Sequence, residues 1–279
     1  MSGELINDFQ GMLKVAIVSG GYSSEYEISI QSGETVYANL DKSHYDTYQV
    51  IIDPDKWFLK RENGDEIVLN KEDFTADLDG ETLHFDYVFI AIHGDPGENG
   101  LLQDYLDNLN IPYSASGAST SKLAFDKGAC KAYFEDTEVK LAASVLIHKG
   151  DDIDNAAVLD KVGLPCFVKP NNGGSSCGIS KVKEEGELSA ALDLAFEEDE
   201  AVLIEQFIDG REITCGVFQE NGQPRSLGVT EIITENEFFD YEAKYTEGKA
   251  DEITPADVSV EITNECERLS IYMYRHLNC

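Results

Sequence analysis

Residues 167–182 read "FVKPNNGGSSCGISKV". Proline, three glycines and paired Asn and Ser exclude a helix here, and the polarity excludes a core segment. The apolar flanks "CFV" and "ISKV" are strand-like, so the fold has to build a sheet with a glycine-serine loop at its edge. Such a loop can turn several backbone N–H groups into one concavity and hold an anion, or it can be an ordinary surface turn. Gly173 and Gly178 have the separation of a P-loop, but Ile179 and Ser180 stand where that motif needs Lys and Ser/Thr. Lys169 instead precedes the loop, at the end of its strand.

The rest of the chain alternates in the same manner. "KVAIVSGG" is a short buried strand running into glycines, the mark of a parallel sheet whose strand ends carry loops. "SSEYEISIQSGETVYANL" follows as a helix, with Ile28, Val36 and Leu40 on one face and Ser24 as its cap. "TYQVIID" and "YVFIAI" are further buried strands and "GLLQDYLDNL" an amphipathic helix, giving an open α/β unit over 13–118. A second, α+β stretch spans 119–209. It starts with a helical pattern, "ASTSKLAFDKGACKAYFEDTEV", interrupted at Gly128, and ends with the strand "AVLIEQFI". The third stretch, 210–279, holds two strands joined at Asn221-Gly222, the aperiodic "ENEFFDYEAKYTEGKADEIT" and a final helix.

Charge limits the partners. Acids outnumber bases 54 to 21, for a net charge of −33, which opposes nucleic-acid binding. The excess is scattered as a solvated acidic surface, so an anionic ligand would need the few cations gathered around it. No window reaches the roughly 18 apolar residues of a membrane helix, and the N-terminus lacks the pattern of a secretory leader. Six cysteines without a CxxC pair read as reduced thiols of a cytoplasmic protein.

The glycine loop, followed some thirty residues later by "LIEQFIDGREITCGV", resembles the ATP-grasp fold. "GGYSSEYEISIQSG", "AIHGDPGENG", "AFDKGACK" and "FFDYEAKYT" narrow the resemblance to the D-alanine–D-alanine ligase family, in family order from Lys14 to Cys279. The resemblance implies a nucleotide clamped between the second and third stretches. ATP would phosphorylate the carboxylate of one D-alanine, and the amine of a second would attack the acyl phosphate, giving the dipeptide for peptidoglycan. It also implies Mg2+ (or Mn2+) and a homodimer formed through the first unit.

Carried over by residue, the resemblance puts Lys127 and Lys169 on the ATP phosphates and Ser175 and Ser176 in the loop covering them. Glu205 would take the adenine amino group, the backbone of Gln206, Phe207 and Ile208 would surround the ring, and Glu212 would hold the ribose. Glu25 would bind the ammonium of the first D-alanine, and His93, beyond a strand's C-terminal end, would belong to the substrate pocket. "DYEAKYT" would be a mobile lid that excludes water from the acyl phosphate. Its Lys244 would meet the transferring phosphate, and its Tyr245 would bond with Ser175 and Glu25. D-lactate-using members usually replace that tyrosine, so Tyr245 favours a dipeptide product.

The family's metal ligands, an Arg-x-Asp strand and a Glu-x-Asn strand before Pro-Gly-Met, are not in the sequence; they are expected beyond Cys279. The chain as written is therefore expected not to complete ligation. The alternatives are a D-alanine–D-lactate or other ATP-grasp carboxylate–amine ligase, and a non-catalytic nucleotide-binding remnant. A dinucleotide-binding oxidoreductase ranks lower, because "KVAIVSGG" lacks the GxGxxG spacing.

Overall fold

The computed structural model describes residues 11–246 and 248–279. The chain divides between Phe125 and Asp126 into two compact units.

The first unit holds β1 (Leu13–Gly20), α1 (Tyr26–Asn39), β2 (Tyr45–Ile52), β3 (Trp57–Lys60), β4 (Glu66–Val68), β5 (Ala76–Leu78), β6 (Glu81–Leu83), β7 (Tyr87–Ile90), α2 (Leu101–Leu109) and α3 (Ala118–Phe125). Its sheet runs β4-β3-β2-β1-β7. The unbroken apolar run of β1 suits a central strand buried on both faces, with β2 and β7 parallel on either side. Beyond β2 the sheet turns antiparallel, because the connection to β3 is too short for a crossover. Its core joins Val18, Val50, Ile52, Trp57, Phe74 and Leu106.

Helix α1 seats differently from the sequence pattern. Its buried residues are Ser29 and Gly33, while Ile28, Val36 and Leu40 are only half-buried. A Cβ on Gly33 would stand 2.6 Å from Cβ and Oγ of Ser19, so small residues set how closely α1 lies on β1. The N-cap position falls on Glu25 rather than Ser24.

The second unit holds α4 (Lys127–Phe134), β8 (Ser144–His148), α5 (Asn155–Val162), β9 (Cys166–Pro170), β10 (Ser180–Val182), α6 (Leu188–Glu198), β11 (Ala201–Gln206), β12 (Glu212–Glu220), β13 (Gln223–Thr234), α7 (Tyr241–Tyr245), β14 (Ala250–Ile253) and α8 (Val260–Leu277). Two antiparallel sheets form, β10-β9-β11-β8 and β12-β13-β14. Asn221 and Gly222, with φ of 50° and 75°, make the turn between β12 and β13.

The helical pattern breaks at Asp126, not at Gly128. Asp126 is extended and its Oδ1 accepts from the Ala129 N–H at 2.8 Å, capping α4. Gly128 lies inside α4, where its bare Cα admits the Asn171 side chain: a Cβ there would be 3.1 Å from Asn171 Oδ1.

Candidate functional site

Alternation along the strands of the four-stranded sheet sorts its residues onto two faces. Cys166 and Val168 on β9, Val202 and Ile204 on β11, Ile147 on β8 and Val182 on β10 point into a core closed by Val158, Val162, Leu188 and Leu192 of α5 and α6. The opposite face carries Phe167, Lys169, Lys181, Leu203, Glu205, Leu146 and Ser144. The register sets Lys169 against Leu203, and Glu205 against Phe167 and Ser144. A face that mixes apolar surface with charge, opposite a closed core, is suited to a ligand rather than to packing.

At its centre one carboxylate meets two ammonium groups. Lys169 Nζ donates to Glu205 Oε2 and Lys131 Nζ to Glu205 Oε1, while Lys131 also donates to the Ala142 carbonyl at 2.8 Å. These three side chains are about four-fifths buried. Burial pushes the Glu205 carboxyl up, but Lys169 and Lys131 outweigh it and hold the group below its ordinary value. An open cleft of about 560 Å³ adjoins them, lined by Gly128, Lys131, Ala142, Ser144, Leu146 and Leu203.

The glycine loop is anchored to this face. Asn171, buried at its root, accepts from the Gly128 N–H at 2.8 Å through Oδ1 and donates to Asp126 Oδ1 at 2.8 Å. Asn172 is held by Asp199, which accepts from both its backbone and side-chain nitrogens. Lys127 Nζ donates to the Gly173 carbonyl at 2.8 Å and to the Asn171 carbonyl at 3.3 Å. This ammonium sits in the first turn of α4, where the helix dipole disfavours a cation and favours an anion beside it.

Farther along the loop Ser175 and Ser176 both adopt left-handed φ, 48° and 61°. Ser175 Oγ lies 2.5 Å from the Tyr245 hydroxyl, and Ser176 Oγ donates to the Phe239 carbonyl at 2.8 Å. The segment expected as an aperiodic lid is helical at its end. Asp240 caps α7 by accepting from the Ala243 N–H, and the rings of Tyr241 and Tyr245 pack at a tilt with their centres 4.9 Å apart. Lys244 lies on α7, its Nζ 5.4 Å from the Phe239 ring centre.

At the end of β11, Gln206 donates its backbone N–H to the Ala143 carbonyl at 2.8 Å. The Phe207 ring lies 6.0 Å from that of Phe167 in a tilted pair and beneath Lys181, and Ile208 is exposed. Glu212 opens β12 in an exposed position. Lys127, Lys131, Lys169, Lys181 and Lys244 lie on these elements, a concentration of positive charge in a chain with only 21 lysines and arginines.

Two of these cations were not among the sequence candidates. Lys131 stands four residues after Lys127 in "DKGACK", so it projects from the same helix face, and that spacing was its only signal. Lys181 is paired with Phe167 across β9 and β10, which only strand register shows.

In the first unit, Glu25 is 4% exposed at the N-terminus of α1. His93 follows β7, which runs parallel to β1, so both residues lie beyond strand C-termini at one edge of the sheet. The His93 carbonyl accepts from Ser23 Oγ at 2.9 Å and its Nε2 lies 3.0 Å from Ser32 Oγ. Gly94, at φ +71°, passes so close that a Cβ would sit 3.3 Å from Glu25 Oε2.

Residues 14–116 match the family model "D-ala D-ala ligase N-terminus", and residues 134–279 match "D-ala D-ala ligase C-terminus". The chain belongs to the D-alanine–D-alanine ligase family. Its members are ligases of the ATP-grasp fold that serve peptidoglycan synthesis. A D-alanine–D-alanine ligase of Flavobacterium johnsoniae is 46% identical over 254 residues, 91% of this chain and 78% of the relative. That of Parabacteroides distasonis is 45% identical over 260 residues, 92% and 78%. Among solved structures, D-alanyl-alanine synthetase A of Vibrio cholerae superposes with a TM-score of 0.83 at 26% identity, covering 96% of this chain and 81% of that one. A Bacillus anthracis D-alanine–D-alanine ligase complexed with ATP gives 0.73 at 28% identity, covering 96% and 78%. The VanG D-Ala:D-Ser ligase of Enterococcus faecalis gives 0.80 at 28%, covering 96% and 84%. Among the described residues no helix is long and apolar enough to cross a membrane.

Proposed function

We propose that this chain binds MgATP on the open face of its four-stranded sheet, supplying the nucleotide site of a ligase that joins two D-alanines through D-alanyl phosphate. The observation that carries the reading is the group of Lys169, Glu205 and Lys127 beside the glycine loop. It offers cations for phosphates, an acceptor for an exocyclic amine and apolar surface from Leu203, Leu146 and Phe207 for a flat base.

In this reading Lys127 and Lys169 hold the phosphates, Ser175 and Ser176 roof them, and Lys244 meets the transferring group. Gln206, Phe207 and Ile208 surround the base and Glu212 takes the ribose hydroxyls. Glu25 binds the ammonium of the first D-alanine and His93 lines its pocket. A carboxylate oxygen of that D-alanine takes the γ-phosphoryl group and ADP leaves. The amine nitrogen of the second D-alanine then attacks the acyl carbon, the bond from carbon to the phosphate oxygen breaks, and nitrogen loses a proton as phosphate departs. Ser175 and Tyr245 assist the acceptor and keep water from the intermediate.

Magnesium enters as part of the nucleotide substrate. Among the described residues no group of three or more His, Cys, Asp or Glu side chains gathers to hold a metal. A cytoplasmic location fits six cysteines that are all free, and the homodimer is carried over from the family resemblance alone.

Titration calorimetry with MgATP tests it. One nucleotide per chain, with uptake weakened in Lys169→Met, is expected; absence of uptake overturns the reading. Tyr245 favours an amine acceptor, so in a ligase containing this chain added D-lactate should not raise phosphate release above that with D-alanine alone. A rise on adding D-lactate would overturn the dipeptide assignment.

A further inference from the structure

Glu205 is served by two cations, yet the nucleotide reading gives Lys169 a second duty at the phosphates. Lys131 has no such duty. Its Nζ is fixed by two acceptors, one carboxylate oxygen of Glu205 and the Ala142 carbonyl at 2.8 Å. The segment it grips is joined to the same strand end again at the next residue: the Ala143 carbonyl accepts from the Gln206 N–H at 2.8 Å, and the Ala143 N–H donates to Gln206 Oε1 at 3.4 Å. Lys131 also lines the cleft beside Leu146 and Leu203. We propose that Lys131 is a positioning residue for nucleobase selection, holding the Glu205 carboxylate so that it accepts a hydrogen bond from a 6-amino purine and rejects a 6-oxo purine.

The inference rests on the nucleotide reading above and adds a specificity determinant to it. A carboxylate only accepts, and with one oxygen on Lys131 it retains lone pairs for an incoming N–H. A 6-oxo group would bring a second acceptor against it. Once phosphates draw Lys169 away, Lys131 alone keeps the carboxylate charged and oriented, since a largely buried carboxylate without a cation favours its neutral form.

ATP and inosine 5′-triphosphate differ in this pairing at the 6-position, so their affinities are compared by calorimetry on the wild-type chain, Lys131→Met and Lys131→Arg, with thermal melts to confirm folding. Wild type should prefer ATP by about tenfold or more, the worth of one charge-assisted hydrogen bond. Lys131→Met should weaken ATP binding and bring the ATP-to-inosine ratio within about threefold, while Lys131→Arg restores most of the preference. A purely structural lysine would shift both nucleotides equally. If Lys131→Met melts out, Lys131→Gln is read in its place by the same criteria. A folded variant that keeps the wild-type ratio overturns this inference alone. A wild-type chain that takes up neither nucleotide overturns the nucleotide reading, and this inference with it.

Discussion

The Tyr245 hydroxyl lies 2.5 Å from Ser175 Oγ, joining the C-terminal end of α7 to the roof of the glycine loop across 70 positions of sequence. Both side chains are solvent-accessible, so the bond is worth at most about 1.5 kcal/mol to global stability. Its effect should instead be local. Tyr245→Phe should leave the melting temperature nearly unchanged and raise amide exchange in residues 173–178. Unaltered exchange there would mean that other bonds, such as Ser176 to Phe239, hold the loop alone.

Lys127 and Lys169 approach the loop root from different elements, α4 and β9. Removing either ammonium should weaken MgATP binding by about ten- to a hundredfold. The salt dependence of binding should flatten in each variant, as one cation fewer meets the phosphates. Calorimetry at two ionic strengths checks both parts, with Lys149→Met as the surface control, since Lys149 is exposed and pairs with exposed Glu200.

Glu205 should leave a signature in acid. Its pKa is lower in the folded chain than its ordinary value of 4.5, so the ionised form stabilises the fold. That stability is fully present above about pH 4.5 and is lost as pH falls through the lower, folded value. Glu205→Gln should therefore destabilise the chain by about 1–3 kcal/mol at pH 7, leaving two largely buried lysines short of a counter-charge. The gap between the variant and wild type in urea midpoints should close as the pH is taken below 4.5. A gap independent of pH would refute the assignment of charge.

Gly33 fixes the distance between α1 and β1. Gly33→Ala must displace Ser19 or the helix, at a cost of about 1–3 kcal/mol. Gly117, whose added Cβ meets nothing within 4 Å, provides the comparison, and Gly117→Ala should be close to neutral. Urea denaturation of the two variants measures the difference.

Much of this was legible in the sequence because its signals are local. The apolar run of β1, the loop after Lys169 and the Asn221-Gly222 turn each carry their own pattern, and the motifs in order gave the family. What was not legible depends on register and tertiary approach. Apolar periodicity put Ile28, Val36 and Leu40 on the buried side of α1, but the close approach permitted by Ser29 and Gly33 decided its seating. Gly128 looked like a helix breaker, whereas Asp126 ends one helix and caps the next. Lys131 reads as one more exposed lysine until Glu205, 74 positions away, is folded against it.

The most direct test of the central claim is a crystal structure of the chain with a non-hydrolysable ATP analogue and Mg2+. The predicted result has the phosphates within hydrogen-bond reach of the Lys127 and Lys169 ammonium groups and the purine amino group donating to Glu205. A nucleotide lying elsewhere, or a base turned away from Glu205, would contradict it.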